Sequence, residues 1–550
     1  MSASPILDLW CQAGMGQEQA TAIEQGERTG ASVLWPAAFL CAIVVLGVPV
    51  FLCLPPNPEM VVYDVQAMVL GKGGVLYRDV FEPNLPGAIW IHAIVRSLFG
   101  TGIVALRAVD LAVFTGIVWL LADWLKLCGM PVAGRLWTSG FLFMFYLTAF
   151  EGCHCQRDMW LLLPSLIAVR LRAAQIDRIR SNGGKLDVYC FGVAEGLILG
   201  CAFWIKPHVA VPGLAVWLVS ARLRGRLSRV CADAAGLLTG GLVAGALGIW
   251  WLHSNGAWPH FLEVLLEWNP QYVSAGRERW SWFQIAILVR RLAPWPVLYL
   301  GAIPAGLWLI ARCRGTEPGS DQAMHKGLIA AMFVGWCLQG FGVQHAFAYV
   351  HGPIIVLIAI AASGQKAQSI RKVAVAGFLI LFAMKGPLDG GYLTKWKDCL
   401  REGSTPQIQD LLAFFQPSGW ADADKVAAWL KDQAVQDGDV FCIGHGDIYL
   451  SLNTTPSSRY VEYRVLRELF PSRAQNIENA VRSAGQKYVV ADCQFEMPPT
   501  QLRGAWIESD ELHLPPSFPD ELRSEFPWSQ PIVYRSGTLF VFRSENASPE

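Results

Sequence analysis

The sequence predicts a polytopic α-helical membrane protein of about 11 or 12 spans, followed by a C-terminal soluble α/β domain. Charged residues make up only 16% of the chain, against about 25% in typical soluble domains, and hydrophobic residues make up 53%. The mean hydropathy is +0.35. Apolar runs approaching the ~20 residues that cross a bilayer recur up to about residue 390, after which the composition becomes mixed and polar.

The predicted organisation is an N-terminal tail at 1–32, a membrane domain at 33–388 with an outer loop at 55–86, and a soluble outer-face domain at 389–550. The first apolar run is an uncleaved anchor, because the preceding residues carry acids rather than the basic region of a signal peptide. The candidate spans are residues 33–54, 87–100, 103–123, 134–150, 159–171, 188–205, 208–221, 231–252, 293–311, 327–345, 351–363 and 373–387.

Lysine and arginine set the expected orientation, since they favour cytoplasmic loops. They gather in the segments 169–185, 221–229, 312–326 and 364–372. The turns at 151–158, 206–208, 253–290 and 345–351 then lie on the outer side, with everything after about residue 388. With the N-terminus inside, the three runs between 87 and 150 must supply an even number of crossings. Either one of them does not cross, or the N-terminus is outside.

The first outer loop carries acids beside apolar surface. The stretch "VVYDVQAMVL" predicts a short interfacial helix with Asp64 on its wetter side, and "YRDVFEPNLPGAIW" follows it with Glu82 and Asn84. The second outer turn, "EGCHCQRDMW", places Arg157 and Asp158 at the mouth of the next span. Its Cys-x-Cys with a histidine lacks the second ligand pair typical of zinc, so a polar site or a snorkelling anchor is favoured.

The remaining outer turns are basic. Lys206 and His208 in "IKPH" lie on the side that basic residues usually avoid, which indicates a local anion or a lysine reaching lipid phosphates. The turn "GVQHAFAYVHGP" adds His345, Tyr349 and His351. Together these turns predict a basic face opposite the acids of the first loop.

These motifs, taken in order, resemble a known family. The stretches "G-x-LYRDVFEPNLPGAIWIHA", "LFGTG..ALRAVDL", "QRDMWLLLP", "IKPH" and "HAFAYVHGP" are similar to the GT-C glycosyltransferases of the protein-mannosyltransferase and aminoarabinose-transferase type, and in particular to the bacterial branch with the rhizobial galacturonosyltransferases. The resemblance covers about residues 30–390 and extends only faintly to "HGDIYLSLNTTPSSRY".

The resemblance implies transfer of a sugar from a polyprenyl-phosphate carrier to an acceptor on the outer face of the inner membrane. It implies Asp64 as the base and Asp158 as a second catalytic acid, which orients either the acceptor or the surroundings of Asp64. Candidates for the donor phosphate are Lys206, which is favoured, with Arg157, His208 and His345. The residues Glu82, Asn84, Tyr349 and His351 are expected to line the pocket.

Two positions depart from the family pattern. Asn84 stands where many relatives carry a lysine, so phosphate binding is expected to depend more on Lys206 or Arg157. His345 stands where relatives often have a lysine, and its reference pKa of ~6.5 would make donor binding sensitive to pH. The sugar, the acceptor (glycolipid, glycan or protein) and any divalent-cation requirement stay open, and no cofactor or protein metal site is predicted.

The C-terminal domain shows a helical stretch, "ADADKVAAWLKDQ", and strand-like runs "DVFCIG", "QKYVVADC" and "SGTLFVFRS". It is expected to cap the membrane part or to recognise an acceptor. Cys399, Cys442 and Cys493 permit one disulfide whose pairing the spacing leaves open.

Two alternatives to the enzyme are a lipid-linked sugar transporter or flippase and a non-catalytic envelope assembly protein. A transporter would carry ionisable residues within its spans, for which Glu195 is a weak candidate. No motif indicates nucleic-acid binding.

Overall fold

The predicted fold class is confirmed by a computed structural model, which describes residues 30–181, 183–223, 226–278, 297–313, 321–343, 356, 359–383, 391–413, 419–496, 512–515 and 518–544. The helices of the membrane part are α1 (Gly30–Cys53), α2 (Pro58–Gly71), α3 (Gly87–Phe99), α4 (Ile103–Leu127), α5 (Val132–Leu147), α6 (Arg157–Trp160), α7 (Leu162–Arg180), α8 (Lys185–Ile205), α9 (Ala210–Ala221), α10 (Leu227–Ser254), α11 (Trp258–Glu263), α12 (Asn269–Glu278), α13 (Val297–Arg312), α14 (Asp321–Val343) and α15 (Ala367–Ala383).

Within those described ranges, five segments are long and apolar enough to cross a membrane: Val33–Cys53, Ile103–Leu127, Arg157–Arg180, Lys185–Ile205 and Leu227–Ser254. The protein is therefore a multi-pass membrane protein. Helix α3 has 13 residues, a rise of about 20 Å, which is shorter than the ~30 Å hydrocarbon core. This length supports the alternative in which one of the three runs between 87 and 150 does not cross.

The basic segment at 169–185 was predicted to be a cytoplasmic loop, but most of it is helical. Helix α7 continues to Arg180, and Arg172 is fully buried inside it rather than exposed to the cytoplasm. Arginine is a good helix former, and this one is paired with Glu195 at 2.6 Å and with Asp233 at 2.6 Å. The pairing stabilises a charge that a loop would have left in water.

Close packing of α8 on α10 fixes the position of α8. A Cβ atom at Gly196 would lie 2.3 Å from the Leu237 carbonyl oxygen, and one at Gly240 would lie 2.2 Å from the Val193 carbonyl oxygen. Small residues let the two backbones approach, as is common between membrane helices. Helix α8 ends at Ile205, so Lys206 begins the following turn.

The outer loop is folded against the membrane helices. Asn57 caps α2 by accepting a hydrogen bond from the Met60 amide at 2.8 Å. The prediction that Asp64 lies on the wetter side of the helix is wrong, because Asp64 is only 2% exposed. The loop enters α3 at Gly87, where a Cβ atom would lie 2.5 Å from the Trp204 carbonyl. This close approach holds the loop beside the end of α8.

The C-terminal domain combines helices with one small sheet. Its helices are α16 (Tyr392–Glu402), α17 (Pro406–Leu412), α18 (Trp420–Asp432), α19 (Asp447–Leu452), α20 (Tyr463–Leu469), α21 (Ala474–Arg482) and α22 (Asp520–Arg523). Its strands are β1 (Val440–Ile443), β2 (Tyr488–Asp492), β3 (Ile532–Ser536) and β4 (Leu539–Arg543). The sheet order is β1-β2-β4-β3, with β1 and β2 parallel and the other pairs antiparallel.

Three of these strands lie where the sequence predicts them, and β3 was missed. The signal for β3 was present, since "IVYRSGTLFVF" has two β-prone runs around a glycine, as a hairpin requires. Cys399, Cys442 and Cys493 form no disulfide. All three are free thiols and all three are buried.

The C-terminal domain packs directly on the outer loop. The Phe81 amide donates to the Arg459 carbonyl at 2.8 Å, and Lys72 is paired with Asp437 at 2.7 Å. Phe81 and Phe470 belong to one apolar cluster that spans both parts. The loop is therefore enclosed between the membrane helices and the soluble domain.

Candidate functional site

One face of α2 carries the first group of the site. Glu59, Tyr63 and Gln66 are spaced by four and three residues, so they share a face of the helix. The Arg157 guanidinium is paired with Glu59 Oε1 at 2.7 Å, and the Tyr63 hydroxyl donates to the same oxygen at 2.7 Å. The guanidinium also lies over the Tyr63 ring, 5.4 Å from its centroid. Arg157 is thus held in a fixed position at the start of α6.

The next residue along α6 forms a second ion pair. Lys206 Nζ donates to both carboxylate oxygens of Asp158, at 2.9 and 2.8 Å. Lys206 and Asp158 are 7% and 6% exposed. Lys206 adopts an extended backbone before Pro207, which ends α8 and turns the lysine towards α6. Two buried cations therefore lie on neighbouring elements, at the start of α6 and just after the end of α8.

Glu82, in the outer loop, contributes a buried carboxylate to the site. It accepts hydrogen bonds from the Gln66 amide at 2.9 Å and from the backbone and side chain of Asn84. Burial raises the pKa of Glu82, against the opposing effects of Arg157 and of these donors. The side-chain amide of Asn84 is engaged by Glu82. In this arrangement Asn84 orients a carboxylate.

The charges of the group act on one another. Burial raises the pKa of Glu59, but Arg157, the Tyr63 hydroxyl and Lys206 outweigh burial, so the pKa of Glu59 lies below its usual value. Glu59 is therefore an ionised partner that neutralises part of the positive charge. Both cations are held by carboxylates.

Sequence reasoning missed two residues that face this group. Burial and the charges of Glu82 and Glu59 raise the pKa of Glu462 to about 8, while Arg157 opposes the shift. Burial raises the pKa of Tyr272 to about 12, again with Arg157 opposing. The available signal for Glu462 was its place two residues after "HGDIYLSLNTTPSSRY", the only part of the last domain with a family likeness.

Asp64 lies in a separate cluster. Its Oδ1 atom is 2.7 Å from His92 Nδ1 and accepts from Arg96 Nε at 2.9 Å, and its Oδ2 atom is in contact with the Arg96 guanidinium. Asp64 directly follows Tyr63, and successive residues on a helix are turned by about 100°. Asp64 accordingly faces α3, whereas Glu59 and Tyr63 face Arg157.

The predicted site residues thus fall into three sets. Glu82, Asn84, Arg157, Asp158 and Lys206 come together beside the start of α6 and the end of α8, and His208 is half-buried in the turn Pro207–Val209. Asp64 is held nearby by its own partners. His345, Tyr349 and His351 lie outside the described residues.

A metal centre is not apparent in the part of the chain that the structure describes, where no group of three or more His, Cys, Asp or Glu side chains is arranged to hold an ion. His154, next to the Cys-x-Cys cysteines, is instead packed edge-on against the Tyr146 and Phe51 rings. Its side chain contributes to the apolar packing beneath the outer turn.

The chain matches no protein-family model and no curated protein sequence. Among solved structures it is similar to the archaeal oligosaccharyltransferase AglB from Archaeoglobus fulgidus in complex with an inhibitory peptide and a dolichol-phosphate, with 11% identity, a TM-score of 0.44, and coverage of 84% of this chain and 70% of that one. A structure of the Archaeoglobus fulgidus oligosaccharyltransferase tethered to an acceptor peptide gives 11% identity, a TM-score of 0.43, and coverage of 84% and 69%.

A third structure, of the same enzyme with Zn and sulfate, gives 13% identity, a TM-score of 0.42, and coverage of 83% of this chain and 68% of that one.

Proposed function

We propose that this protein transfers a sugar from a polyprenyl-phosphate carrier to a glycolipid, glycan or protein acceptor at the outer face of the bacterial inner membrane. The observation that carries the proposal is the pair of buried cations, Arg157 and Lys206, fixed on neighbouring elements beside the buried carboxylate of Glu82. A leaving phosphate needs fixed positive charge, and an attacking hydroxyl needs a group that accepts its proton.

On the donor side, Lys206 and Arg157 bind the carrier phosphate, with His208 and His345 as further candidates. The ion pairs to Asp158 and Glu59 hold the two cations in position before a donor arrives, so little reorganisation is needed when the phosphate leaves. Arg157 presents a planar fork that suits phosphate oxygens, whereas Lys206 acts as a point charge.

On the acceptor side, the family resemblance assigns the base to Asp64 and an orienting role to Asp158. Both carboxylates are engaged, Asp64 by Arg96 and His92 and Asp158 by Lys206. Uptake of a proton by Asp64 therefore requires one of its partners to release an oxygen. Replacement of Asp64 by Asn tests this role: full retention of transfer in a normally inserted variant removes Asp64 from the mechanism.

The function is tested by incubating the purified full chain, in liposomes, with a panel of labelled polyprenyl-phosphate sugars and an extract of envelope acceptors. Release of free polyprenyl phosphate together with labelled acceptor is the expected result. The matched variants are Lys206→Met and Lys425→Met, since Lys425 is also an ion-paired lysine, with Asp422 at 3.3 Å, but lies on α18. No release from any donor by the wild-type chain contradicts the proposal.

A lipid-linked sugar transporter is the second candidate, and one observation favours it. Arg172, Glu195 and Asp233 form a buried ionic cluster among α7, α8 and α10, and ionisable residues inside spans often mark transport pathways. The same liposomes separate the two functions. A transporter moves the labelled donor across the bilayer intact, without release of polyprenyl phosphate.

A further inference from the structure

The chain segments before and after Glu462 are both anchored by contacts to the outer loop and to residues 263–268. On one side, the Arg459 carbonyl accepts from the Phe81 amide, and the Arg459 guanidinium donates to Glu263 at 3.1 Å. On the other side, the Phe470 ring packs 5.0 Å from Trp268 and 6.0 Å from Phe81, measured between centroids. Glu462 lies between these anchors at the start of α20. Its backbone is therefore fixed relative to the outer loop.

Charged and titratable groups on four elements interact electrostatically with Glu462. They are Glu59 on α2, Glu82 in the loop before α3, Arg157 on α6 and Tyr272 on α12, and each acts electrostatically on Glu462 or is acted on by it. Glu462 is half-buried. It thus belongs to the same group of side chains as the ion pair between Arg157 and Glu59, although it comes from the soluble domain.

The carboxylates of the site differ in what already binds them. Glu59 is occupied by Arg157 and Tyr63, Asp158 by Lys206, Asp64 by Arg96 and His92, and Glu82 by Gln66 and Asn84. The side chain of Glu462 makes no hydrogen bond or ion pair with any other residue that the structure describes. A carboxylate without a bound donor is the one best able to accept a hydroxyl proton.

We infer that the C-terminal domain supplies the proton acceptor of the reaction, and that this acceptor is Glu462 in place of Asp64, whose carboxylate Arg96 and His92 already bind. The inference rests on the proposed function. As the acceptor oxygen attacks the anomeric carbon, its proton passes to the Glu462 carboxylate. The bond between the anomeric carbon and the phosphate oxygen breaks, and the polyprenyl phosphate leaves with the electron pair. Protonated Glu462 then releases its proton to water.

The raised pKa of Glu462 suits this role. Burial and the nearby carboxylates of Glu82 and Glu59 raise its pKa to about 8, and a general base works best when its pKa lies near the working pH. The base must be ionised to accept a proton. We therefore expect the transfer rate to rise with pH through about 8 and then to level off.

The experiment compares the full-length wild-type chain with Glu462→Gln, Glu462→Asp and Glu468→Gln, using the labelled polyprenyl-phosphate sugar that the wild type turns over. Glu468 lies on the same helix, but its side chain is 58% exposed. Loss of a general base is expected to lower kcat on the order of 100-fold or more. We expect this loss, without the rising pH limb, in Glu462→Gln at unchanged donor KM, partial activity in Glu462→Asp, and wild-type behaviour in Glu468→Gln.

The outcomes separate this inference from the proposed function. If the wild type turns over no donor, the proposed function fails and the inference fails with it. If the wild type is active and Glu462→Gln keeps its rate and its pH profile, only the inference is overturned. If Glu462→Gln does not fold, Glu462→Asp decides, and a rate and pH profile equal to the wild type overturn the inference.

Discussion

Two buried ionic clusters lie at different positions in the helices: the inner cluster lies part-way along α7, α8 and α10, and the outer cluster lies at the start of α6 and just after the end of α8. The inner cluster joins Arg172 to Glu195 and Asp233, each at 2.6 Å, and Asp233 also accepts from Gln175 at 2.6 Å and from Trp217 at 2.7 Å. Its three charged side chains are between 0% and 2% exposed. Both carboxylates of this cluster are bound by donors, so neither is left unmatched.

The outer cluster contains similar ion pairs, but one of its carboxylates has no donor within the part of the chain that the structure describes. Arg157 and Lys206 each have a carboxylate partner, whereas Glu462 has a raised pKa and no side-chain donor among the described residues. A satisfied buried cluster stabilises a particular packing, but a cluster with an unmatched group retains capacity for a ligand or a proton. The inner cluster is expected to affect stability, and the outer cluster activity.

The largest expected effect is on folding, from Arg172→Ala. The change leaves Glu195 and Asp233 buried without their cation, which typically costs about 3–5 kcal/mol. We expect a large drop in the apparent melting temperature and in the yield of folded protein, measured by thermal shift in detergent. The control is Arg178→Ala, which removes an exposed arginine of the same helix, 3.6 Å from Asp187. Melting temperatures equal to that of the wild type in both variants would show that the inner cluster is not structural.

Next in size is the effect of Lys206→Met on activity. Loss of one fixed charge that stabilises a leaving group typically lowers kcat by about 10²–10³-fold. Methionine retains the apolar stem but leaves Asp158 buried without its cation, so the melting temperature of Lys206→Met is measured beside its activity. Transfer assays then compare folded Lys206→Met with the exposed, ion-paired control Lys425→Met. Equal rates in the two variants would remove Lys206 from the donor site.

A smaller effect is expected from His445 in the C-terminal domain. Its ring nitrogens lie 3.3 Å from Asp447 and 3.2 Å from Asp492. Burial alone lowers the pKa of His445, but these two contacts outweigh burial and raise the pKa to about 10. Since the folded pKa lies above the unfolded value, this stabilisation is fully present below about pH 6.5 and is lost as the pH rises through about 10.

His445→Gln should therefore destabilise the protein near pH 6, by about 1.5–3 kcal/mol for a charged hydrogen bond. The difference from the wild type should shrink towards pH 10. Thermal melting of both proteins across this range checks the prediction. A difference that stays constant with pH would mean that His445 is neutral in the folded protein.

The one stabilising change among these predictions is Glu462→Gln. The folded pKa of Glu462, about 8, exceeds its ordinary value of 4.5, so the wild-type protein loses stability as the pH rises through this window. The neutral variant avoids that loss. Its melting temperature should exceed that of the wild type by an amount that grows above pH 4.5 and stops growing above about 8. A similar gain in Glu468→Gln would assign the effect to general surface charge.

The fold class followed from the sequence because composition and run length reflect the solvent that each segment meets. The strands β1, β2 and β4 were equally readable, since short apolar runs between polar stretches mark buried strands. The direction in which the Asp64 side chain points could not be predicted. Helix α2 has apolar residues on almost every side, "MVVYDVQAMV", so its pattern does not show which face is buried.

The pairing of the site residues also lay beyond the sequence. Arg157 and Glu59 are 98 positions apart, and Lys206 and Asp158 are 48 apart, so no local spacing relates them. The sequence did indicate that Glu82, Arg157, Asp158 and Lys206 belong to the same outer side. It gave no reason to select Glu462, because an isolated glutamate in a soluble domain is usually a solvated surface residue.

Glycosyl transfer at the outer cluster is tested by measuring the release of free polyprenyl phosphate by the purified wild-type chain and by Lys206→Met across the labelled donor panel. We predict release with at least one donor by the wild type, together with labelled acceptor, and release lowered on the order of 100-fold by Lys206→Met. No release by the wild type from any donor, or equal release by the two proteins, would contradict the account.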